Sequence, residues 1–162
     1  MDLTELQKLL DRAMSEIPKQ TIKIIGVEGL NFIKKNFRDE GFTDTGFTKW
    51  DKRKTEDKNG RDITRYRSNR SGRQGQLNRY GSKNQDRALL TGFATGGDKL
   101  RNSFKKSSSI NEVRFYTYKV YADRHNEGLD GMPKRQFMGK SAYLENKIKE
   151  KLSKELDKLL RQ

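Results

Sequence analysis

The sequence predicts an α+β fold, with two N-terminal helices and a long C-terminal helix packed on a small antiparallel sheet. Apolar residues recur at spacings of three and four near both ends of the chain, which is the helical period. Between them, residues 100–106 and 112–121 are strand candidates on either side of a serine-rich turn, as in a β-hairpin, and the second of them is rich in aromatic and β-branched side chains. The 162 residues suit a single domain, 1–162.

The first 39 residues predict two helices. Residues 2–17 carry one apolar stripe, and Pro18 ends this helix or opens the next, because an interior proline removes a backbone hydrogen bond. Residues 19–39 are compatible with two structures. The β-branched run at 21–25 favours a strand, but the apolar pattern continues to Phe37 and is longer than a typical strand, so we predict a helix.

The segment from Gly41 to Trp50 is predicted to be a loop that its aromatic side chains hold against the core. A basic insertion follows at about residues 51–87, with twelve Lys and Arg against five Asp and Glu. It has no periodic apolar face, so we predict a long solvated loop with room for a short hairpin around Tyr66 to Tyr80.

The predicted strand at 112–121 has apolar side chains on both faces. One face carries Val113, Phe115 and Thr117, and the other carries Tyr116, Tyr118 and Val120. We expect the core on one side and a neighbouring subunit on the other. Residues 123–140 predict a loop, and the final helix runs from about Ser141, a plausible N-cap, to Arg161.

Composition excludes several classes of protein. The chain has no Cys and one His, which removes disulfides, thiol nucleophiles, ordinary zinc sites and multi-histidine nuclease sites. No apolar run approaches the ~20 residues of a membrane span, and the N-terminus lacks the basic-then-apolar order of a secretory signal. Residues 92–97 lack the Gly-Lys-Ser/Thr ending of a Walker loop. We therefore expect no catalysis, no cofactor, no metal and no membrane.

Three short elements follow one another after Leu90. The first is Leu90-Thr91-Gly92 with Leu100-Arg101-Asn102-Ser103, interrupted by residues 93–99. The second, Tyr121 to Gly128, has the pattern Tyr-Ala-x-x-His-x-x-Gly, and the third, Pro133 to Ser141, has the pattern Pro-x-Arg-x-Phe-x-Gly-x-Ser. Together these elements resemble the phage virion morphogenesis family, the Mu-like tail-completion proteins.

The resemblance implies a non-enzymatic structural protein of a phage or prophage, acting at the tail end or at the head–tail junction. The implied partners are further copies of the chain, in a closed ring with a hexamer as the expected size, and tail tube, terminator or neck proteins. The implied location is the virion, after assembly in the bacterial cytoplasm. The motif residues expected to shape the fold or an interface are Trp50, Thr91, Gly92, Leu100, Ser103, Tyr121, Ala122, His125, Gly128, Pro133, Arg135, Phe137 and Gly139.

His125 admits two interpretations. With Asp123 and Glu127 it resembles the start of a calcium loop, but Lys134 stands where that loop needs a bidentate Glu. A histidine that hydrogen-bonds and shapes the turn after the strand is therefore favoured over a metal ligand or a catalytic group.

Arg135 lies between Pro133 and Phe137 in the third element. We expect Phe137 to pack under the last helix and the Arg135 guanidinium to clamp a carboxylate or carbonyls of residues 121–128, because its planar fork suits that role better than Lys. A contact between subunits and a contact with nucleic acid remain the alternatives.

The basic segment, residues 51–87, has a net charge of +7. Interleaved Arg and Tyr are typical of a surface that follows a phosphate backbone and stacks bases, so the runner-up function is nucleic-acid binding through residues 52–87. The alternatives are docking to acidic partners or ring building, a loop facing a lumen through which DNA passes, and little role. The candidate contact residues are Arg61, Arg65, Tyr66, Arg67, Arg70, Arg73, Arg79 and Tyr80.

Overall fold

A computed structural model describes residues 3–52, 54, 56, 58–60, 76–88, 90–91 and 97–161. The elements in chain order are α1 (Leu3–Asp39), β1 (Gly41–Thr43), β2 (Phe47–Lys49), α2 (Arg79–Asn84), a 3₁₀ turn (Leu100–Asn102), β3 (Lys105–Ser108), β4 (Val113–Tyr116), α3 (Ala122–Glu127) and α4 (Ala142–Leu160). The predicted α+β class is confirmed. Instead of one sheet there are two antiparallel hairpins, β1 with β2 and β3 with β4.

The N-terminal region is one continuous helix of 37 residues, about 55 Å long at 1.5 Å per residue. The predicted break at Pro18 is wrong, whereas the helix predicted for residues 19–39 is confirmed. An interior proline costs roughly 3 kcal/mol relative to Ala, so the helix needs support on both sides of it. Helix α4 gives that support, since it contacts Glu28 after the proline and its last turn lies beside residues 5–12 before it.

Helix α4 packs along α1 and begins at the predicted cap. The Ser141 hydroxyl accepts from the Leu144 amide (3.2 Å) and donates to the Thr43 carbonyl (2.8 Å), so one side chain caps α4 and ties it to β1. Asp44 accepts from the Ala142 amide at 2.7 Å, which adds a carboxylate at the helix N-terminus.

A buried carboxylate joins the two long helices. Glu28 of α1 is 2% exposed and pairs with Lys147 (2.9 Å) and Lys151 (2.5 Å) of α4. Burial opposes its ionisation, but the hydrogen bonds from the two lysines outweigh this effect and hold the pKa of Glu28 below its ordinary value.

The middle of the chain differs from prediction in four places. The predicted loop at 41–50 contains β1 and β2, and the strand predicted at 100–106 begins as a 3₁₀ turn, with β3 extending into the predicted serine turn. The strand predicted at 112–121 ends at Tyr116, and α3 lies within the predicted loop 123–140. Short elements of this kind are set by tertiary contacts and single caps, which leave little periodicity in a sequence.

The core is an aromatic cluster drawn from four distant segments. Phe37 of α1 contacts Trp50 edge to face (5.4 Å), stacks on Phe137 (5.1 Å) and lies 5.8 Å from Phe104. All four side chains are buried, so the aromatic anchoring predicted for Trp50 is confirmed. Phe137 packs on Phe37 of α1 and on Phe104. Within the described ranges, no helix is long and apolar enough to cross a bilayer.

Candidate assembly surface

Most of the family-motif residues that the structure describes are buried and stabilise the fold. The buried ones are Trp50, Thr91, Leu100, Ser103, Ala122, His125, Arg135 and Phe137. Tyr121 is exposed at the start of α3, Pro133 is half-buried, and Gly92 lies outside the described residues. The buried motif residues therefore supply the scaffold, and a docking surface is to be sought among exposed residues.

The third motif element is held by side chains from three other segments. The Asn36 amide donates to the Phe137 carbonyl (3.2 Å), and the Trp50 indole donates to the Gln136 carbonyl (2.8 Å). Asn126 Oδ1 accepts from the Phe137 amide at 2.9 Å. The sequence analysis missed Asn36 and Asn126, although a polar residue on the apolar side of α1 was a usable signal for Asn36.

His125 and Arg135 are joined through the backbone. The Arg135 amide donates to the His125 carbonyl (2.7 Å), and the guanidinium donates to the Pro133 carbonyl (3.3 Å). Burial and the nearby charge of Arg135 lower the pKa of His125. Its Nδ1 has no hydrogen-bond partner among the described residues. The main chain at His125 thus joins the second motif element to the third.

Two motif glycines have positive φ angles, a backbone conformation that other residues rarely adopt. Gly128 ends α3 with φ 72°, and a Cβ there would lie 3.0 Å from the Lys134 side chain. Gly139 has φ 146°, another conformation that favours glycine. The two positions fix the path of the chain from α3 into α4.

The outer side of β4 and the residues after it form an exposed apolar surface. Tyr116, Tyr118 and Val120 are 46%, 61% and 95% exposed, and we call these three residues the β4 apolar face. Phe115, on the opposite side, packs against the core, so the predicted division of the two faces is confirmed for the core side. In the described part of the chain β4 pairs only with β3, which leaves its other edge open.

Polar contacts fix the orientation of this face. Tyr118 and Lys119 both donate to the Asp98 carboxylate, and the Lys119 ammonium lies 4.7 Å from the Tyr118 ring centroid. These hydrogen bonds lower the pKa of Asp98 and raise those of Tyr118 and Lys119. The Tyr118 ring is thus held in place.

A second exposed apolar surface lies on the N-terminal half of α1. Leu3, Leu10 and Met14 are 82%, 46% and 76% exposed, and their spacing of seven and four places them on one face. We call these residues the α1 apolar stripe. It differs in shape from the β4 apolar face, because the stripe lies on a helix, whereas the face is formed by the last residue of β4 and the irregular chain after it.

Glu40 connects the two ends of the basic segment. Its carbonyl accepts from the Trp50 amide (2.7 Å), and its carboxylate accepts from Arg87 Nε (3.0 Å), the Ala88 amide (3.1 Å) and the Thr91 hydroxyl (2.7 Å). Burial opposes ionisation, but these hydrogen bonds outweigh it and lower the pKa of Glu40. The sequence analysis did not single out Glu40, and no local pattern marks it.

The ends of the basic segment lie next to each other. Lys52 and Ala88 form an antiparallel bridge, and Lys52 pairs with Asp86 at 2.9 Å. Arg79 and Tyr80 begin α2, whose cap is Asn78. The other predicted contact residues (Arg61, Arg65, Tyr66, Arg67, Arg70 and Arg73) and most of the predicted hairpin lie outside the described residues.

Comparisons with family models, curated proteins and solved structures find no match to this chain. Among the residues that the structure describes, no group of three or more His, Cys, Asp or Glu is placed to hold a metal ion. The candidate surface therefore rests on the exposed apolar side chains and their neighbours alone.

Proposed function

We propose that this chain is a non-enzymatic structural protein of phage or prophage virion morphogenesis. It completes the tail, or closes the head–tail junction, by assembling into a ring and docking onto tail or neck proteins. The motif elements between Leu90 and Ser141 motivate this reading, and the exposed apolar surfaces support it.

One observation carries the proposal: two unlike apolar surfaces, the β4 apolar face and the α1 apolar stripe, are both exposed in the single chain. Large apolar patches on a soluble chain usually mark interaction sites. Two different surfaces on one molecule suit a heterologous contact, in which one subunit presents the first surface and its neighbour the second. Such contacts build a ring when the rotation closes.

The test is the mass of the purified protein by size exclusion with light scattering, measured across a dilution series. Val120→Asp is the informative variant, because Val120 is 95% exposed and its change leaves the folded subunit intact. A buried valine contributes about 1.5–3 kcal/mol, so we expect the dissociation constant of the oligomer to rise at least about tenfold.

Ile110→Asp is the matched control. Ile110 is 80% exposed in the turn between β3 and β4, outside the β4 apolar face, so the same change of charge leaves assembly unaffected. A discrete oligomer that Val120→Asp dissociates and Ile110→Asp preserves supports the proposal. A wild-type chain that stays monomeric at every concentration, or equal effects of the two variants, contradicts assembly through this face.

Nucleic-acid binding through residues 52–87 is the second candidate function. The observation that favours it is the Lys52–Ala88 bridge, which brings together the two ends of a segment with net charge +7. Because Lys52 and Ala88 are adjacent, residues 53–85 can be replaced by a short Gly-Ser linker that keeps Asp86 and Arg87, so the ion pairs of Lys52 and Glu40 remain. Loss of salt-sensitive DNA binding with assembly intact favours this function, whereas loss of assembly or docking favours the first.

A further inference from the structure

A basic cleft lies between the C-terminal part of α1 and the 3₁₀ turn, beside the end of the basic segment. Its polar lining consists of Lys34, Arg38, Arg87, Arg101 and Asn102. None of the described residues that line it is acidic. Four cations from three separate parts of the sequence therefore converge on one depression of the folded domain.

Two of the arginines are held in position by neighbouring carboxylates. Arg38 Nε lies 3.1 Å from Asp39 Oδ1, and Arg87 Nε lies 3.0 Å from Glu40 Oε1. Each ion pair uses Nε, and a guanidinium has four further N–H donors on its two Nη atoms. The carboxylates thus orient both guanidinium groups without using the donors that grip a phosphate in a forked geometry.

The lining favours a phosphate backbone over a protein partner. The apolar residues that line the cleft, Phe37 and Phe104, are only 2% and 9% exposed, so they offer little surface to an apolar side chain. Protein interfaces depend on buried apolar or aromatic anchors, whereas binding to a nucleic-acid backbone needs mainly cationic donors. The net charge of +14 on the chain adds long-range attraction for a polyanion.

We propose that the basic cleft binds phosphate groups of a nucleic-acid backbone, without reading the base sequence. The site lies in the folded domain and takes only Arg87 from residues 52–87, in which nucleic-acid contacts were predicted from the sequence. It also goes beyond the proposed assembly function, which needs no nucleic acid. A subunit that assembles through its apolar surfaces can therefore hold nucleic acid at a separate place.

The test is the affinity of the full chain for a fluorescein-labelled DNA duplex of mixed sequence, measured by anisotropy over a range of salt concentrations. The cleft variant is Lys34→Gln with Arg38→Gln, both on the exposed side of α1. Asp39 keeps its ion pair with Lys35 (2.9 Å) in this variant. The matched control is Lys149→Gln with Lys154→Gln, which removes the same charge from exposed positions of α4.

We expect the cleft variant to bind more weakly, with a slope of log K against log salt that is shallower by about 1.8, because each phosphate contact contributes about 0.9. The control variant keeps the wild-type slope. Equal losses in the two variants overturn the proposal, because net charge alone then explains the binding. The proposal also fails if poly-glutamate displaces the duplex as well as unlabelled duplex of equal charge, since the site then accepts acidic polypeptides.

Discussion

Glu40 is the residue whose replacement tests the structure most directly, because its carboxylate accepts three hydrogen bonds from the chain that follows the basic segment. Glu40→Gln keeps the shape of the side chain but places an NH₂ group opposite a donor. One buried N–H or O–H loses its acceptor, and the bond from Arg87 loses its charge partner. A hydrogen bond to a charged group contributes about 1.5–3 kcal/mol, so we expect a loss of about 3 kcal/mol in the free energy of unfolding.

Thermal unfolding followed by circular dichroism measures this loss. For a chain of this size each kcal/mol corresponds to roughly 2–4 °C, so Tm falls by about 6–12 °C. Asp51→Asn is the control, because it removes the same charge from an exposed residue near the start of the basic segment. A shift below about 2 °C for Glu40→Gln, or an equal shift for the control, refutes the argument that Glu40 joins the ends of the segment.

The stabilisation by the Glu40 carboxylate decreases at low pH. The pKa of Glu40 in the folded chain lies below its ordinary value of 4.5, so the folded state favours the ionised carboxylate. Its contribution is fully present above pH 4.5 and is lost as the pH falls through the folded pKa. The difference in Tm between wild type and Glu40→Gln therefore shrinks on acidification. If the difference in Tm stays constant from neutral pH to well below pH 4.5, the ionised carboxylate of Glu40 does not stabilise the folded chain.

Three further predictions concern packing, titration and helix continuity. Gly29→Ala places a methyl group against the Phe115 ring and costs about 1–3 kcal/mol in unfolding experiments, whereas Gly46→Ala, with nothing within 4 Å, does not destabilise the chain. We expect proton NMR to show a His125 pKa below 6.5, because burial disfavours its charged form. The free energy of unfolding then falls as the pH drops below 6.5, and a pKa of 6.5 or more contradicts the burial of this side chain. Pro18→Ala slows amide hydrogen exchange around this position in α1, since it restores a helical hydrogen bond, and unchanged exchange argues against a continuous helix.

The boundaries of the helices show how far a sequence determines a fold. Helix α4 and its Ser141 cap follow from the apolar period and from one hydroxyl, which are both local properties. The continuity of α1 through Pro18 does not follow from local properties, because proline by itself favours the end of a helix. Packing of α4 on both sides of the proline supplies the free energy that overrides it.

The candidate surfaces, too, were predicted in part from the sequence and in part revealed only by the fold. Alternation along residues 112–121 predicted which side chains of β4 face away from the core, since successive residues of a strand point to opposite faces. Whether anything covers that outer face depends on distant elements, and only the folded chain shows Val120 at 95% exposure. The motif residues were identified from the sequence. Their burial, and hence their role in the scaffold, became visible only in the folded chain.

The sequence by itself determined the α+β class, the final helix with its cap, the aromatic anchoring of Trp50 and the location of the basic segment, because these depend on periodicity and composition. Only the tertiary structure decided that Glu40 joins both ends of that segment and that Lys34, Arg38, Arg87 and Arg101 share one cleft. The physical reason is sequence separation. Residues about 50 positions or more apart meet only through the packing of whole elements, and no local spacing records that meeting.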